Sequence, residues 1–154
     1  MHKEIILPPQ AQESFFNRSI LWNEVEQAEK RKDAQTAREI ELALPREFNL
    51  DEQIKLVREY SKTNFVNVGM CVDFAIHDKN RGNPHAHIML TMRELTPKGF
   101  GKKARGWNDR KNVTKWRQEW AALCNRELKK KASPPAWMPG AIRIKASPKP
   151  QQFI

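Results

Sequence analysis

The chain has 154 residues, of which 30% are charged and 39% hydrophobic, and its formal net charge is +10 at pH 7. This length suits one compact domain with a buried core, and the composition is typical of a globular protein rather than a disordered chain. No apolar run is long enough to span a membrane, and no segment has the pattern of a signal peptide. The two cysteines, Cys71 and Cys124, lack a metal-binding spacing, so we expect reduced thiols and a cytoplasmic location.

Two elements are predicted in the first third of the chain. Residues 14–34 have the composition of a helix, with Ser14 as the expected N-cap. Residues 39–45 alternate between apolar and acidic side chains, which predicts a half-buried strand. Its polar side carries Glu39 and Glu41, so both carboxylates project from one face of the sheet.

The middle of the chain predicts a helix and a pair of strands. Asn49 and Glu52 occupy capping-box positions at the start of a helix over residues 49–65. Apolar and polar residues alternate over residues 65–77, and residues 85–92 form a returning strand after a loop rich in turn formers. The loop is short, so we expect the two strands to pair as an antiparallel hairpin.

A linker rich in lysine and glycine separates this hairpin from a last predicted helix over residues 108–130. Residues 132–154 contain five prolines, and we expect an irregular tail there. The sequence therefore predicts one domain over residues 1–131. The order strand, helix, strand, strand, helix fits the α+β class.

The positive charge is concentrated in one stretch. Residues 1–97 carry 13 basic and 15 acidic side chains, whereas residues 98–131 carry 12 basic and 3 acidic ones. Clustered lysine and arginine favour a polyanionic partner such as DNA, and a solvated helix face is the alternative. The basic candidates for contacts with a DNA backbone are Lys102, Lys103, Arg105, Arg110, Lys111, Lys115 and Arg117.

Three tryptophans accompany these cations. Trp116 and Trp120 lie on the apolar stripe of the last predicted helix, so we expect them in the core. Trp107 precedes the helix and lies among charged residues. It is therefore the candidate for stacking on a nucleic-acid base.

Three of the four histidines fall on the predicted hairpin. His85 and His87 are two residues apart on one strand and share a face, and His77 ends the preceding strand on its polar side. Three imidazole nitrogens can hold a divalent ion and leave positions open for water or substrate. Polar-face histidines without a ligand are the alternative. Imidazole suits zinc, manganese, nickel and iron alike, so the spacing leaves the metal open.

Glu39 and Glu41 lie on the same face as the three histidines if their strand belongs to the same sheet. Either carboxylate would then serve as a base, as a metal ligand or as the partner of an imidazole. The alternative is a pair of solvated carboxylates on an edge strand.

Three segments, AEKRKDAQTAREIELALP, DFAIHDKNRGNPHAHIMLTMREL and GKKARGWNDRKNVTKWRQEWAALCNREL, resemble relaxases of the MobA/MobL type, a branch of the HUH endonucleases. The resemblance runs from about residue 4 to residue 128. It implies a split β-α-β fold with an antiparallel sheet flanked by helices. It also implies an endonuclease that nicks single-stranded DNA by transesterification at the transfer origin of a plasmid, during conjugative mobilisation.

The resemblance assigns roles to particular residues. It implies that His77, His85 and His87 bind the metal and that Glu39 has an acidic role in catalysis. The implied cofactor is a divalent ion, manganese or magnesium, with zinc as an alternative. The implied partners are single-stranded DNA at the transfer origin and other relaxosome or conjugation proteins.

The nucleophile of the family is a tyrosine on a helix after the first strand, and it becomes attached to the 5′ end of the cut strand. The single tyrosine of this sequence is Tyr60, on the predicted helix between the first two predicted strands. We therefore expect the first strand and the nucleophile to be missing from these residues. The predicted sheet is incomplete at its N-terminus, with an unpaired edge.

Three functions stay open from the sequence. The first is a metal-dependent DNA strand transferase of the relaxase type. The second is a remnant that binds metal and DNA but lacks the nucleophile for cutting. The third is an unrelated three-histidine enzyme that hydrolyses its substrate through metal-bound water. The resemblance favours the first two.

Overall fold

The structure is a computed structural model that describes residues 1–29, 31, 34–78 and 82–131, and the backbone of residues 142–147. Its elements are β1 (His2–Ile6), α1 (Arg18–Gln27), β2 (Ala37–Ala43), α2 (Leu50–Asn64), β3 (Val72–His77), β4 (His85–Thr91), β5 (Arg93–Thr96), β6 (Gly99–Lys103), α3 (Arg110–Lys130) and β7 (Ile142–Ser147). Five strands form an antiparallel sheet in the order β1-β3-β4-β2-β7, and β5 pairs with β6. The predicted α+β class is confirmed.

One face of the sheet packs against α2 and α3. Ile40 on β2 pairs directly with Ile88 on β4, and both are fully buried. They share a core cluster with Tyr60 from α2 and with Trp116 and Trp120 from α3. The prediction that both tryptophans of α3 lie in the core is confirmed, and this buried face contains the larger part of the hydrophobic core.

The opposite face is covered at one end by α1. Leu21 on this helix packs with Phe15 and Met89 in a second buried cluster. The ring of Phe15 stacks on Phe100 of β6, with 5.4 Å between the ring centroids. The second core therefore joins α1 and the β5–β6 hairpin to the sheet.

The N-terminal residues form a strand that the sequence analysis did not predict. β1 pairs with β3, and the side chain of Arg58 on α2 donates to the Glu4 carboxylate, with 2.8 Å between Nε and Oε2. β1 forms one edge of the described sheet, in a segment where the sequence analysis predicted no strand. A five-residue strand without clear alternation leaves little signal in the sequence.

The first helix begins later than its composition suggests. α1 starts at Arg18, and the side chain of Asn17 accepts a hydrogen bond from the backbone N–H of Ile20. Ser14 lies in a preceding 3-10 turn instead, so the prediction of Ser14 as the N-cap is wrong. Asn17 is an equally good capping residue, and the composition of the segment does not distinguish the two.

The strand predicted over residues 65–77 is confirmed only from Val72 onward. A 3-10 turn over Val66–Val68 precedes it, and Gly69 follows with a φ of 107°. This left-handed conformation favours glycine. The turn and Gly69 interrupt the extended backbone, so the strand begins only at Val72 although the sequence alternates earlier.

Two segments in which the sequence analysis predicted no strand contain strands. The linker after β4 forms the β5–β6 hairpin, where a Cβ on Gly101 would lie 2.8 Å from Cγ2 of Thr96. In the tail, residues 142–147 form β7 and pair with β2. The remaining tail, residues 132–141 and 148–154, lies outside the described residues. In the part of the chain that the structure describes, no helix is long and apolar enough to cross a membrane.

The capping box predicted at the start of α2 is confirmed. The Asn49 side chain accepts from the Glu52 N–H, and the Glu52 carboxylate accepts from the Asn49 N–H, each at 2.9 Å.

We predict that Asn49→Ala lowers the free energy of unfolding by about 1 kcal/mol, because the N-terminal N–H groups of α2 lose their acceptor. Chemical denaturation measures this loss. Asn23→Ala, at an exposed position within α1, is the control, and an equal loss from both variants would contradict the prediction.

Candidate functional site

The imidazoles of His77, His85 and His87 lie on one face of the sheet, where β3 ends and β4 begins. We call this the histidine face. His77 pairs directly with His85 across the two strands, and His87 follows two residues later on β4. The rings of His77 and His87 are 5.2 Å apart between centroids and nearly perpendicular. The register thus places the three side chains together on one face, as the sequence spacing predicts.

The two imidazoles of β4 each lie beside a carboxylate of β2. Nδ1 of His87 is 3.5 Å from Oε1 of Glu39, and Nε2 of His85 is 3.9 Å from Oε1 of Glu41. Glu39 is buried, whereas the side chain of Glu41 is partly exposed. A buried carboxylate beside a ring nitrogen orients the imidazole and favours an N–H at that nitrogen. β2 lies between β4 and β7, so the alternative of carboxylates on an edge strand is wrong.

A backbone carbonyl orients a second imidazole. Nδ1 of His85 lies 2.7 Å from the carbonyl oxygen of Asn83, a distance at which an N–H on Nδ1 donates to that oxygen. This tautomer leaves the lone pair on Nε2, which is the nitrogen that faces the sheet carboxylate Glu41. Nε2 is therefore the nitrogen through which this ring would bind a cation.

The three imidazoles and the two neighbouring carboxylates have the donor chemistry that a divalent ion requires. Among the described side chains, no three His, Cys, Asp or Glu residues stand close enough to hold one ion together. The pairing register places the three predicted ligands on one face of two adjacent strands, and their side chains would have to move closer together to hold one ion. Metal binding by His77, His85 and His87 stays a prediction.

A charged cluster that the sequence analysis missed lies further along the same face. Asp73 is four residues before His77 on β3 and is only 1% exposed. Arg18 contacts it through Nε, 2.7 Å from Oδ2, and through Nη2, 2.8 Å from Oδ1, while the indole N–H of Trp22 donates to Oδ2 at 2.9 Å. The hydrogen bonds to Asp73 raise the pKa of the Arg18 guanidinium. This cluster attaches α1 to β3 beside the histidine face.

Four of the eight predicted DNA-binding residues line a cleft of about 980 Å³ at the C-terminal end of α1. These four are Lys102, Lys103, Arg105 and Trp107. Arg31 and Arg93, which the sequence analysis did not single out, line the same cleft. Arg110 and Lys111 lie exposed in the first turn of α3 and are not among the residues that line the cleft.

Trp107, the residue predicted to stack on a nucleic-acid base, is only partly exposed. Trp107 is half-buried and packs against the main core. Its carbonyl oxygen accepts hydrogen bonds from Nη1 of Arg38 at 3.1 Å and from Nδ2 of Asn112 at 3.2 Å. The indole is therefore held in place, and only its exposed part borders the cleft.

Tyr60 lies on the opposite side of the sheet from the three histidines. It is 1% exposed, and its hydroxyl donates to the carbonyl of Trp116 at 2.8 Å. Burial raises the pKa of Tyr60 well above its ordinary value. A buried, protonated hydroxyl beneath the sheet is not placed to attack a substrate on the histidine face.

These features define an α+β protein whose sheet presents imidazoles and carboxylates on one face, with a basic cleft beside it. The sequence profile of the MobA/MobL family matches residues 1–135. The chain belongs to the MobA/MobL family, and this match confirms the resemblance found in the sequence.

Similar proteins carry names from conjugation and mobilisation. The chain is 42% identical over 115 residues to the conjugal transfer protein TraA of Agrobacterium fabrum, a match that covers 67% of this chain and 10% of TraA. It is 31% identical over 130 residues to the mobilization protein MobL of Acidithiobacillus ferridurans, which covers 68% of this chain and 34% of MobL. The chain thus spans about a tenth of the TraA relative and a third of the MobL relative.

A solved structure has the same fold. It is described as "Molecular Basis of Vancomycin Resistance Transfer in Staphylococcus aureus", and the comparison gives a TM-score of 0.82 at 36% identity. The match covers 88% of this chain and 73% of that one. The fold described above is therefore also the fold of a protein studied for resistance transfer.

The Asp73 cluster makes a prediction about stability. We predict that Asp73→Asn lowers the free energy of unfolding by about 2–3 kcal/mol. This lies below the roughly 3–5 kcal/mol of a fully buried ion pair, because Arg18 stays partly exposed to water. Urea denaturation measures the change. Asp51→Asn, at an exposed acid in the first turn of α2, is the matched control. A loss no larger than that of the control would show that the cluster contributes little.

Proposed function

We propose that this chain is the metal- and DNA-binding part of a relaxase that nicks one DNA strand at the transfer origin of a plasmid. The observation that carries the proposal is the placement of His77, His85 and His87 on one face of the sheet, in a chain of the MobA/MobL family. The reaction is a transesterification. A tyrosyl oxygen forms a bond to the scissile phosphorus, and the bond from phosphorus to the 3′ oxygen breaks.

The residues of the histidine face have distinct roles in this proposal. His77, His85 and His87 would hold a divalent ion, manganese or magnesium, with zinc as an alternative. When bound, such an ion supplies the positive charge that polarises the scissile phosphate. Glu39 orients His87 through Nδ1, which the distance of 3.5 Å supports. Glu39 is therefore a positioning residue rather than a group that touches the reacting atoms.

The attacking tyrosine in this proposal belongs to a segment other than these 154 residues. Tyr60 is the single tyrosine of the sequence, and its hydroxyl is held in the core by the carbonyl of Trp116. The same observation favours a second candidate function, a protein that binds metal and single-stranded DNA without cutting it. The two candidates share the site and differ only in whether a strand is cleaved.

Metal binding by the histidine face is tested with a matched histidine control. We predict that wild type binds one Mn²⁺ per chain and that the triple variant His77→Ala/His85→Ala/His87→Ala binds none. His2→Ala should bind as wild type does, because the fourth histidine lies on β1, where it contacts Glu4. Equilibrium dialysis with elemental analysis gives the stoichiometry. Binding of one Mn²⁺ per chain by the triple variant would contradict the assignment of the three histidines as metal ligands.

Strand cleavage separates the two candidate functions. The substrate is single-stranded DNA that spans the nick site of the cognate element, incubated with Mn²⁺ or Mg²⁺. We predict that the chain alone forms no covalent adduct on a denaturing gel. We predict an adduct when the chain is extended at its N-terminus with a tyrosine-bearing helix of the kind that the resemblance to MobA/MobL relaxases implies.

Two outcomes would change the proposal. An adduct formed by the chain alone and lost in Tyr60→Phe would overturn the structural assignment of Tyr60. An extended chain that binds metal and DNA but forms no adduct would favour the non-cutting candidate.

A further inference from the structure

β7 brings two basic residues to the face of the sheet that carries the histidines. In the pairing of β2 with β7, Glu41 lies opposite Arg143 and Glu39 lies opposite Lys145. Glu41 also lies opposite His87 on β4. Residues that lie opposite each other in an antiparallel pair share a face of the sheet, with roughly 4.5–5.5 Å between their Cβ atoms. Each carboxylate of β2 is therefore matched by a basic residue on the neighbouring strand.

The apolar residues of β7 alternate with the basic ones and match the apolar residues of β2. Ile144 lies opposite Ile40, and Ile142 lies opposite Leu42. Ile40 and Leu42 are fully buried in the main core. A slip of one residue would place the basic residues of β7 on the core face of the sheet. The apolar pairs thus fix the register that brings Arg143 and Lys145 beside the carboxylates.

Glu39 is the carboxylate with the greater need for a positive partner. Its side chain is 7% exposed, and its Oε1 lies 3.5 Å from Nδ1 of His87. A metal-binding imidazole is neutral, so it offers this carboxylate an N–H but no charge. A buried carboxylate without a compensating charge is costly. The register places a basic residue, Lys145, on the side of Glu39 that is away from His87.

We propose that Lys145 and Arg143 are positioning residues of the histidine face, which hold Glu39 and Glu41 from the side of β7. A charge pair restricts the Glu39 carboxylate, and the restricted carboxylate selects the tautomer of His87 with an N–H on Nδ1. This tautomer leaves Nε2 for a cation. The proposal rests on the proposed function only where metal binding is measured. It makes β7 a part of the functional site, in a segment for which the sequence predicts an irregular tail.

The tautomer of His87 tests the role of Lys145 without metal. Long-range proton–nitrogen NMR spectra of the chain in chelator, with the imidazoles neutral, distinguish an N–H on Nδ1 from one on Nε2. We expect the Nδ1–H form in wild type and in Lys145→Arg, which keeps the charge. We expect Lys145→Gln to give a mixture of tautomers, because Glu39 loses the charge that holds it. An unchanged tautomer in Lys145→Gln would overturn the positioning role.

The sign of the change in metal affinity separates positioning from simple electrostatics. Arg143→Gln/Lys145→Gln removes two positive charges, and the loss of repulsion alone would make a cation bind more tightly. We expect Mn²⁺ to bind about fivefold more weakly instead, the upper end for the loss of a cross-strand charge pair. Isothermal titration calorimetry measures the affinity, on chains that circular dichroism shows to be folded. Tighter or unchanged binding would overturn the proposal.

Two matched variants control for charge and for packing. Lys55→Gln/Lys62→Gln removes the same charge from exposed positions on α2, which packs against the other face of the sheet. It should bind Mn²⁺ as wild type does. Arg143→Lys/Lys145→Arg exchanges the two basic residues, keeps both charges and should also bind as wild type does. A loss in the exchanged variant as large as that in Arg143→Gln/Lys145→Gln would overturn the role of the charges.

Failure of this proposal is distinguishable from failure of the proposed function. If wild type binds no Mn²⁺, the proposed metal site is wrong, and the tautomer of His87 still decides the role of Lys145. If wild type binds Mn²⁺ through the three histidines while Arg143→Gln/Lys145→Gln behaves as Lys55→Gln/Lys62→Gln does, only the role of β7 is overturned.

Discussion

The pairing register of β3 and β4 is the constraint on which the arrangement of the molecule depends. His77 faces His85, and Phe74 faces Ile88. Side chains alternate between the faces of a sheet, so a slip of one residue would exchange the imidazoles for the apolar side chains. The buried face under α2 and α3 prevents this exchange, because it would place imidazoles in the core. The hydrophobic core thus fixes the position of the histidines, although it lies on the other side of the sheet.

Buried carboxylates next to nitrogen donors recur at three places in the molecule. Asp73, Glu39 and Glu29 are all shielded from water, and each stands beside a ring nitrogen or a guanidinium. A buried carboxylate needs such a partner, since an uncompensated charge in the interior is costly. Each carboxylate in turn restricts the position of the side chain that it contacts. The same physical requirement therefore orients an imidazole, attaches a helix and holds the base of a basic cleft.

Local patterns made part of this structure predictable. Alternation predicted β2 and the strand that contains β3, the capping box predicted the start of α2, and the spacing of His85 and His87 predicted their shared face. The fold class also followed from the order of these elements. Resemblance to a family supplied the candidate roles of the histidines, which composition and spacing alone left open.

Elements that depend on distant partners escaped the sequence analysis. β1 is short, and β7 lies in a proline-rich tail, so each is recognisable only by the strand beside it. Arg18 and Asp73 are far apart in sequence, and so are Glu29 and Arg93. No local pattern marks such pairs, because tertiary packing alone brings them together. Trp107 stood out among charged neighbours, but its packing against the core depends on contacts that its own segment does not reveal.

The pairing of β2 with β7 has a consequence for the order of folding. It joins Ala37 to Ser147, more than a hundred positions apart, whereas β3 and β4 are joined by a short loop. Closing a long loop costs more conformational entropy than closing a short one, and distant contacts form slowly. We therefore expect the β3–β4 hairpin to form early and β7 to join the sheet late. Before β7 pairs, the outer side of β2 would be an open edge, so the last step in forming the sheet would take place on the strand that carries Glu39 and Glu41.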